Sequence, residues 1–365
     1  MPTVGDWLQA LDGCYPPSWA EPWDSVGLQV GDRGADAGRC LVGLDPTPAV
    51  IAEAAGHGCG LLVTHHPLVF RPLARLDLAD PVGGAVALAL EAGVAVAAAH
   101  TNADVARPGV SDALAGALGL EVIDVLRPTE AGSRVKLVTF VPPEATGKVL
   151  DAVVEAGGGV IGEYTHCSFR VRGAGTFLPG GAANPVVGER GALREVEEDR
   201  LEIVVPRHQL AAAAQALVDA HPYEEAAHDV VPLGGASGLG LGRLARAEEA
   251  IDAAGLARRC QERLGGPVRM AGDPGSAAEH IALCGGSGSE LIPDALRARA
   301  DVFVTGDLKH HQALDAAAAG LTVIDAGHHG TERPFVPVLG EALGDAMPSG
   351  EVLISDVSTD PFVRP

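Results

Sequence analysis

The chain has 365 residues, a formal net charge of −22, 47% hydrophobic residues and only 4% aromatic residues. Its length predicts about two to three domains. A core this poor in aromatic residues must rely on alanine, valine and leucine packing helices closely onto sheets, which favours an α/β fold. A strongly acidic surface repels anionic membranes and the phosphates of nucleic acids, so composition argues against both kinds of partner.

The cysteines and the N-terminal segment bear on the cellular compartment. The six cysteines form no C-x-x-C pair and have no regular spacing, which is typical of reduced, buried thiols rather than of a disulfide framework or a zinc ribbon. The N-terminal segment lacks the pattern of a secretory signal, and no apolar stretch of about 18 residues occurs. These features predict a cytoplasmic protein.

Strands and helices alternate over the first part of the chain. We expect Ser111 to cap one of the helices, and Gly93 and Gly119 to follow the ends of two. Alternation of this length implies right-handed crossovers and a mostly parallel sheet. The predicted strands are 40–44, 60–64 and 94–100, and the predicted helices are 46–55, 83–92 and 111–119.

The same alternation returns from about residue 278. We therefore predict one discontinuous, mostly parallel α/β domain formed by residues 1–130 and 236–365. The glycine-rich run 234–240 is expected to lead the chain back into it. The predicted strands of this second part are 280–284, 301–305, 321–325 and 351–355, and its predicted helices are 289–299, 309–319 and 332–343.

The segment 133–233 has a different pattern, which reads β-α-β-β-α-β. That is the ferredoxin-like order, and it predicts an inserted α+β domain. We interpret the glycine-containing stretch 167–178 as hairpin-like, and 179–191 as a loop. The other predicted strands are 135–141, 201–205 and 226–231, and the predicted helices are 144–156 and 208–220.

Five metal-capable side chains follow predicted strands at three separate places in the chain. Thr64-His65-His66-Pro67 places two imidazoles at one strand end, and Asp104 comes shortly after the next strand. His328 and Glu332 follow a third strand and are four residues apart, so they share one face if a helix begins there. Open α/β sheets bind ligands at the carboxyl ends of their strands. The sequence therefore predicts a site for one or two divalent metal ions held by His65, His66, Asp104, His328 and Glu332.

Two metal ions about 3.5–4 Å apart can generate hydroxide at neutral pH and stabilise an oxyanion. No Ser-His-Asp or Cys-His arrangement is evident from the spacing, so metal-dependent hydrolysis is the simplest mechanism. Glu332 has two oxygens and is placed to bridge two ions, and we assign Glu332 or a neighbouring histidine the role of proton relay. His100 is a candidate to hold Asp104 or a water, and His329 a candidate pocket-lining residue. Zinc, iron, manganese and nickel all suit these ligands.

Two further segments have two readings each. The run Cys284-Gly285-Gly286-Ser287-Gly288-Ser289 lies between a strand and a helix, where its amides are placed to bind an anion or simply to form a tight turn. Asp307 also follows a strand, together with Lys309 and His310. It either lines the pocket or caps the following helix.

Several motifs together resemble one known family, the GTP cyclohydrolase 1 type 2 homologs, also called NGG1-interacting-factor-3-like proteins. The resemblance spans nearly the whole chain in order. It departs from the family pattern at Ser25, where asparagine is usual, and at His329, where an aromatic residue is common. The motifs are Trp23-Asp24-Ser25-Val26-Gly27-Leu28-Gln29-Val30-Gly31, Thr64-His65-His66-Pro67, His100-Thr101-Asn102-Ala103-Asp104, Thr305-Gly306-Asp307 and Asp325-Ala326-Gly327-His328-His329-Gly330-Thr331-Glu332.

The resemblance implies a dinuclear centre of two divalent ions per subunit, with Glu332 bridging. It also implies a homo-oligomer, a toroidal hexamer with its metal sites facing the interior. The inserted segment resembles the PII-like module of the longer members, in Gly162-Glu163-Tyr164, Cys167-Ser168-Phe169 and His221-Pro222-Tyr223-Glu224-Glu225.

Two functions remain open at this point. The first is a metal-dependent hydrolase of a small, nucleotide-like substrate, of the cyclohydrolase or phosphoesterase type. The second is a non-enzymatic metal-binding or metal-insertion scaffold whose inserted module senses a ligand.

Overall fold

A computed structural model of the protein describes residues 1–130, 132–233 and 238–362. It divides into two compact units. The first comprises Met1–Pro128 and Gly238–Pro365, and the second comprises Thr129–Ser237. Most of the glycine-rich run expected at 234–240 lies outside the described residues, and from Gly240 the chain forms a strand.

The strands form three sheets, two in the first unit and one in the second. In chain order they are β1 (Gly27–Val30), β2 (Arg39–Gly43), β3 (Leu61–Thr64), β4 (Ala95–Ala98), β5 (Leu120–Pro128), β6 (Arg134–Val141), β7 (Ser168–Phe177), β8 (Arg194–Pro206), β9 (His228–Pro232), β10 (Gly240–Ala247), β11 (Arg269–Ala271), β12 (Ile281–Ser287), β13 (Val302–Gly306), β14 (Thr322–Asp325) and β15 (Glu351–Ile354).

Helices connect most of these strands, so the predicted α/β class is confirmed. They are α1 (Val4–Cys14), α2 (Pro48–Gly56), α3 (Pro81–Ala92), α4 (Thr101–Val105), α5 (Val110–Leu118), α6 (Thr146–Glu155), α7 (Leu210–Ala220), α8 (Ala253–Leu264), α9 (Ile292–Arg297), α10 (His310–Ala318), α11 (His328–Glu332) and α12 (Phe335–Ala346). Short 3-10 turns occur at Pro17–Trp19, Arg207–Gln209 and Ser289–Leu291. Within the described residues no helix combines the length and the apolar character needed to cross a membrane.

The first sheet has the strand order β1-β4-β3-β2-β15. Its strands pair in parallel from β15 to β4, and only the edge strand β1 is antiparallel. Strands β3 and β4 are buried along their whole lengths because helices cover both faces, as is usual for parallel sheets. The carboxyl ends of β2, β3 and β4 therefore lie at one edge of this sheet.

The second sheet corrects the prediction of one mostly parallel sheet. Its order is β11-β14-β13-β12-β10-β5, and only the β14-β13 and β13-β12 pairs are parallel. Strands β5 and β10 form a long antiparallel ladder, and β11 pairs antiparallel with β14. These three strands were not predicted from the sequence, because acidic residues interrupt the apolar pattern of β5, glycine and arginine interrupt that of β10, and β11 has only three residues. The predicted alternation covered only the parallel centre of the sheet.

Local details differ from the sequence analysis at two helices. Ser111 does not cap α5, because Gly109 occupies the N-cap position and the Asp112 carboxylate accepts from its amide. The predicted helix 332–343 is two helices, since α11 ends before Pro334 and α12 begins at Phe335. Gly93 and Gly119 do end α3 and α5 in left-handed conformations, as predicted.

The second unit contains one antiparallel sheet of order β7-β8-β6-β9, with α6 and α7 packed on it. The element order is β-α-β-β-α-β, the ferredoxin-like arrangement. The stretch 167–178 is a single strand rather than a hairpin, because β7 pairs along its length with the longer strand β8. The PII-like character of this unit stays a prediction.

Candidate metal centre

His65 and His66 lie directly after β3, where the chain leaves the first sheet. Their amides continue the sheet pairing, donating to the carbonyl oxygens of Gly43 and Leu44 at 3.3 and 3.0 Å. The Thr64 hydroxyl donates to the carbonyl of His66 at 2.6 Å, which bends the chain at this point. The two imidazole rings consequently face the same region, with centroids 4.9 Å apart.

His328 and Glu332 begin and end the short helix α11, which follows β14 in the second sheet. The spacing of four residues places them on one face, as predicted, and His328 Nε2 lies 3.1 Å from Glu332 Oε2. Gly286 makes room for the carboxylate, because a Cβ at that position would lie 2.1 Å from Glu332 Oε1. A glycine here is thus required by the position of Glu332.

The two sheets bring all five predicted side chains together. The contacts fall into two groups, one around each oxygen of Glu332. His66 Nε2 and His328 Nε2 lie 3.0 and 3.1 Å from Oε2. His65 Nε2 lies 3.7 Å from Oε1 and 3.7 Å from Asp104 Oδ1. Ligand atoms about 2.1 Å from a shared ion in tetrahedral geometry lie about 3.4 Å from one another, so these separations suit metal ligands.

Each of three imidazoles is held by a hydrogen bond from its Nδ1. His66 Nδ1 bonds Asp45 Oδ1 at 2.7 Å, His328 Nδ1 bonds Asp307 Oδ2 at 2.7 Å, and His65 Nδ1 bonds the Ala99 carbonyl oxygen at 2.9 Å. These oxygens are acceptors, so each Nδ1 carries a proton, and whenever a ring is neutral its Nε2 presents a lone pair to the cluster. Partners of this kind orient histidine ligands in metal sites.

The lone pairs therefore face one another and a carboxylate. His66 Nε2 and His328 Nε2 are 3.4 Å apart. Although burial opposes protonation of His66, its bonds to Asp45 and Glu332 raise its pKa to about 10. The bond to Glu332 likewise raises the pKa of His328 to about 9. Two protons or a metal cation must occupy this region for it to be stable.

While the rings are neutral, two buried polar atoms of the cluster have no hydrogen-bond partner, His65 Nε2 and Glu332 Oε2. Burial alone would raise the pKa of Glu332, but bonds to His328, His65 and His66 hold it well below the usual range, so the residue is a carboxylate. His66, His328 and Glu332 offer ligand atoms all within 4.8 Å of one another. This buried histidine and glutamate group can hold a metal ion.

Residues 2–361 match the family model described as Duf34/NIF3 (NGG1p interacting factor 3). The chain belongs to this family. The resemblance seen in the sequence is thereby confirmed.

Several relatives of the family align over almost the whole chain. A Mycobacterium leprae protein named GTP cyclohydrolase 1 type 2 homolog is 40% identical, covering 98% of this chain and 94% of its own length. The solved structure of a Bacillus cereus protein related to NIF3 is 35% identical with a TM-score of 0.79, covering 100% of this chain and 99% of its own. A Staphylococcus aureus protein, SA1388, is 30% identical with a TM-score of 0.81 and the same coverage.

His100, which the sequence analysis placed outside the ligand set, reaches the cluster in this family member. His65, His66 and His100 offer ligand atoms within 4.8 Å of one another. His100 Nδ1 bonds Asp24 Oδ1 at 2.9 Å. Hydrogen bonds from His100 and Thr101 lower the pKa of Asp24 although its burial opposes this.

The sequence analysis gave no role to Asp24 or Asp45. Asp45 follows β2, at the same sheet edge as His65, so the rule that selected the histidines would also have selected it. Asp24 follows no predicted strand, and only its place in a family motif singled it out. Both act on the cluster through an imidazole.

The structure favours one of the two readings for each of two segments near the cluster. In the run 284–289 the amides of Gly286 and Gly288 donate to the hydroxyls of Thr331 and Thr305, both at 2.9 Å, so these two amides are not free to bind an anion and the tight turn is favoured. Asp307 does not cap the next helix, since Lys309 occupies that position. Asp307 instead bonds His328 from a left-handed backbone conformation, with φ of 57°.

His329 points away from the cluster. It lines a separate cavity of about 740 Å³ in the first unit, together with Arg333 and Thr359. Burial lowers the pKa of His329, which favours the neutral ring. His329 was predicted to line the pocket of the metal site, whereas the cavity that it lines is a separate one.

Proposed function

We propose that this protein is a metal-dependent hydrolase of a small, nucleotide-like substrate. His65, His66, Asp104, His328 and Glu332 would hold two divalent ions. The single observation that carries the proposal is the convergence of three oriented Nε2 lone pairs on the two oxygens of one buried carboxylate. Bound cations would satisfy this arrangement, and protons on His66 and His328 satisfy it in their absence.

Glu332 would be the residue that bridges the two ions. One oxygen faces His66 and His328, and the other faces His65. Because its pKa is far below the usual range, Glu332 is a weak proton acceptor at neutral pH. We therefore assign it the bridging position and not the proton relay. When bound, two divalent ions supply Lewis acidity and activate water for hydrolysis.

An aromatic surface beside the cluster supports a planar substrate. Trp23 and Phe70 are 60% and 46% exposed, and their rings meet edge to face with centroids 5.8 Å apart. Both rings also lie edge-on to the His100 ring, with centroid distances of 6.4 Å for Trp23 and 6.1 Å for Phe70. His100 in turn contacts His65 and His66. Exposed aromatic rings of this kind stack on nucleobases, and several relatives carry the name GTP cyclohydrolase 1 type 2 homolog.

The test is metal analysis of the untreated protein, followed by a hydrolysis screen with the same metal restored. The screen should span nucleotides, phosphoesters and cyclic amides. We expect hydrolysis of at least one purine-containing member, lost on chelation and restored by the metal. Bound metal with no hydrolysis across the panel would favour the alternative, a metal-binding or metal-insertion scaffold.

A further inference from the structure

A second cavity lies wholly within the second unit, apart from the metal centre. It has a volume of about 880 Å³ and is bounded by β7, the loop after it and the turn after α7. Cavities of about 300–1,000 Å³ with mostly apolar walls are the usual binding sites of small molecules. Phe140, Val171, Phe177 and Val187 provide apolar walls.

Hydrogen bonds fix the walls of this cavity in place. The backbone N–H of Asn184 donates to Glu224 Oε2 at 2.9 Å, and this bond connects the loop after β7 to the turn after α7. In that turn the Tyr223 amide donates to His221 Nδ1 at 3.1 Å, and His221 Nε2 donates to the Phe140 carbonyl at 3.1 Å. The cavity is therefore preformed rather than a gap between loose segments.

Glu198 is the buried polar group of the cavity wall, with only 9% of its surface exposed. The other acids near it on β8 are paired with cations: Glu197 and Asp199 with Arg172, and Glu202 with Lys136. Among the described residues no ion pair includes Glu198.

Arg200 lines the same cavity but is engaged elsewhere. Its Nε donates to Glu202 Oε1 at 3.0 Å, and its guanidinium lies over the Phe140 ring. The Tyr223 phenol lines the same cavity and lies close enough to Glu198 to be influenced by its carboxyl group. Burial and the neighbouring Glu198 raise the pKa of Tyr223 to about 12, so the phenol is available as a donor at neutral pH.

The backbone beside Glu198 is shaped to admit its carboxylate. A Cβ on Gly175 would lie 2.0 Å from Glu198 Oε2, so the glycine leaves room for the carboxyl group in its present position. A Cβ on Gly173, two residues earlier on the same face of β7, would meet nothing within 4 Å. Open space thus lies next to the carboxylate.

Buried polar side chains are as a rule hydrogen-bonded, so a ligand that supplies donors would complete the surroundings of Glu198. We propose that this cavity binds a small organic amine or amide with an apolar ring, whose N–H group donates to Glu198. Glu224 and Glu225 also line the cavity, so its charge disfavours carboxylate and phosphate ligands.

The experiment uses the full chain and three probes that share one ring: tryptamine, indole-3-propionamide and indole-3-propionate. Binding is measured by ligand-observed NMR and calorimetry. We expect tryptamine and the amide to bind, and the propionate to bind about 10- to 100-fold more weakly, the usual effect of a hydrogen bond to a charged group. Absence of binding by all three probes would overturn the proposal.

Two pairs of variants locate the binding. Glu198→Gln should weaken tryptamine binding about tenfold or more, whereas Glu195→Gln, at an exposed position of the same strand, should not. Gly173→Leu should block all three probes by filling the cavity. Gly147→Leu, which also has open space but lies outside the cavity, is its control. Equal binding of the three probes, unchanged by Glu198→Gln and Gly173→Leu, would contradict the proposal.

Discussion

His66 Nε2 lies 3.0 Å from Glu332 Oε2, although the two residues follow strands of different sheets. Each residue is positioned by its own sheet edge, one after β3 and the other after β14. The cluster therefore exists only when both sheets of the first unit are folded and packed. This relationship leads to predictions about metal binding, proton release, substrate stacking and stability.

Loss of one ligand should remove metal from the protein. We expect His328→Ala to lower the bound metal of purified protein to well below half of the wild-type content, because Nε2 of His328 faces Glu332 directly. His311→Ala, an exposed histidine of α10, is the matched control. Elemental analysis after dialysis gives the metal content. Unchanged occupancy in His328→Ala would remove this residue from the ligand set.

The carboxylates behind the imidazoles should matter almost as much as the ligands. Asp307→Asn should weaken metal affinity about 10- to 100-fold, because its carboxylate orients His328 and makes that ring more basic. Asp315→Asn changes an exposed acid of α10 and should have no effect. Competition with a chromogenic chelator measures the affinity. Equal affinities of the two variants would contradict the orienting role of Asp307.

Metal binding should release protons and strengthen as pH rises. In the metal-free protein the pKa of His66 is about 10 and that of His328 about 9, above the ordinary value of about 6.5. Both rings are therefore protonated at neutral pH and must lose that proton to bind an ion. We expect the apparent affinity to rise about tenfold per pH unit for each proton released between about pH 6 and 8. Calorimetry in buffers of different ionisation enthalpy counts the protons.

The raised pKa values of His66 and His328 also determine how the stability of the metal-free protein changes with pH. Raised pKa values mean that protonated His66 and His328 stabilise the metal-free fold fully below about pH 6.5. That contribution is lost as pH rises through about 9 and 10. We expect the Tm of chelator-treated protein to fall over this range more steeply than that of the His66→Gln variant. If the Tm values of the two proteins changed with pH in parallel, this would be evidence against a raised pKa of His66.

The exposed aromatic pair should bind planar rings independently of the metal. Guanosine should quench the fluorescence of Trp23, whereas ribose should not, and Trp23→Leu should remove the effect. Phe70→Leu should weaken guanosine binding about tenfold, a usual value for loss of one stacking contact. His328→Ala should retain the quenching. If guanosine still quenched the fluorescence of Trp23→Leu, the quenching would come from Trp7 or Trp19, and this result would refute the stacking site.

A buried ion pair holds α5 against the second sheet. Arg243 is fully buried, and its guanidinium contacts the Asp112 carboxylate at 2.6 and 2.9 Å. Arg243→Met should destabilise the first unit by about 3–5 kcal/mol, because Asp112 loses its close cationic partner and keeps only Arg107, at 3.9 Å. Urea unfolding followed by tryptophan fluorescence reports on this unit, since all three tryptophans lie in it. Arg246→Met breaks only the exposed pair with Glu121 and should change little.

The sequence predicted the parallel strands well because their apolar runs are short, continuous and bounded by glycine or polar residues. β3 and β4 are examples. The placement of His328 and Glu332 on one turn of a helix was also predicted, from their spacing of four residues. Strands β5 and β10 were missed because charged residues interrupt the apolar residues of β5, and glycine and arginine interrupt those of β10. Their pairing depends on contacts between distant parts of the chain that no local pattern shows.

The candidate site was predictable as a set of residues but not as a geometry. Strand-end positions pointed to His65, His66, Asp104, His328 and Glu332, and the structure brings them together. Their use as ligands remains a proposal. The hexamer implied by the family resemblance also stays a prediction, which light scattering on the purified protein would check. Which oxygen of Glu332 faces which imidazole follows from the packing of two sheets, and no local spacing contains that information.

The most direct test of the account is a crystal of the full chain, grown with the metal found in the untreated protein, and an anomalous difference map at that metal's absorption edge. We predict two peaks about 3.5–4 Å apart, one beside His66 and His328 and the other beside His65 and Asp104, with Glu332 between them. A map with no peak within reach of Glu332, from protein that carries metal elsewhere, would contradict the account.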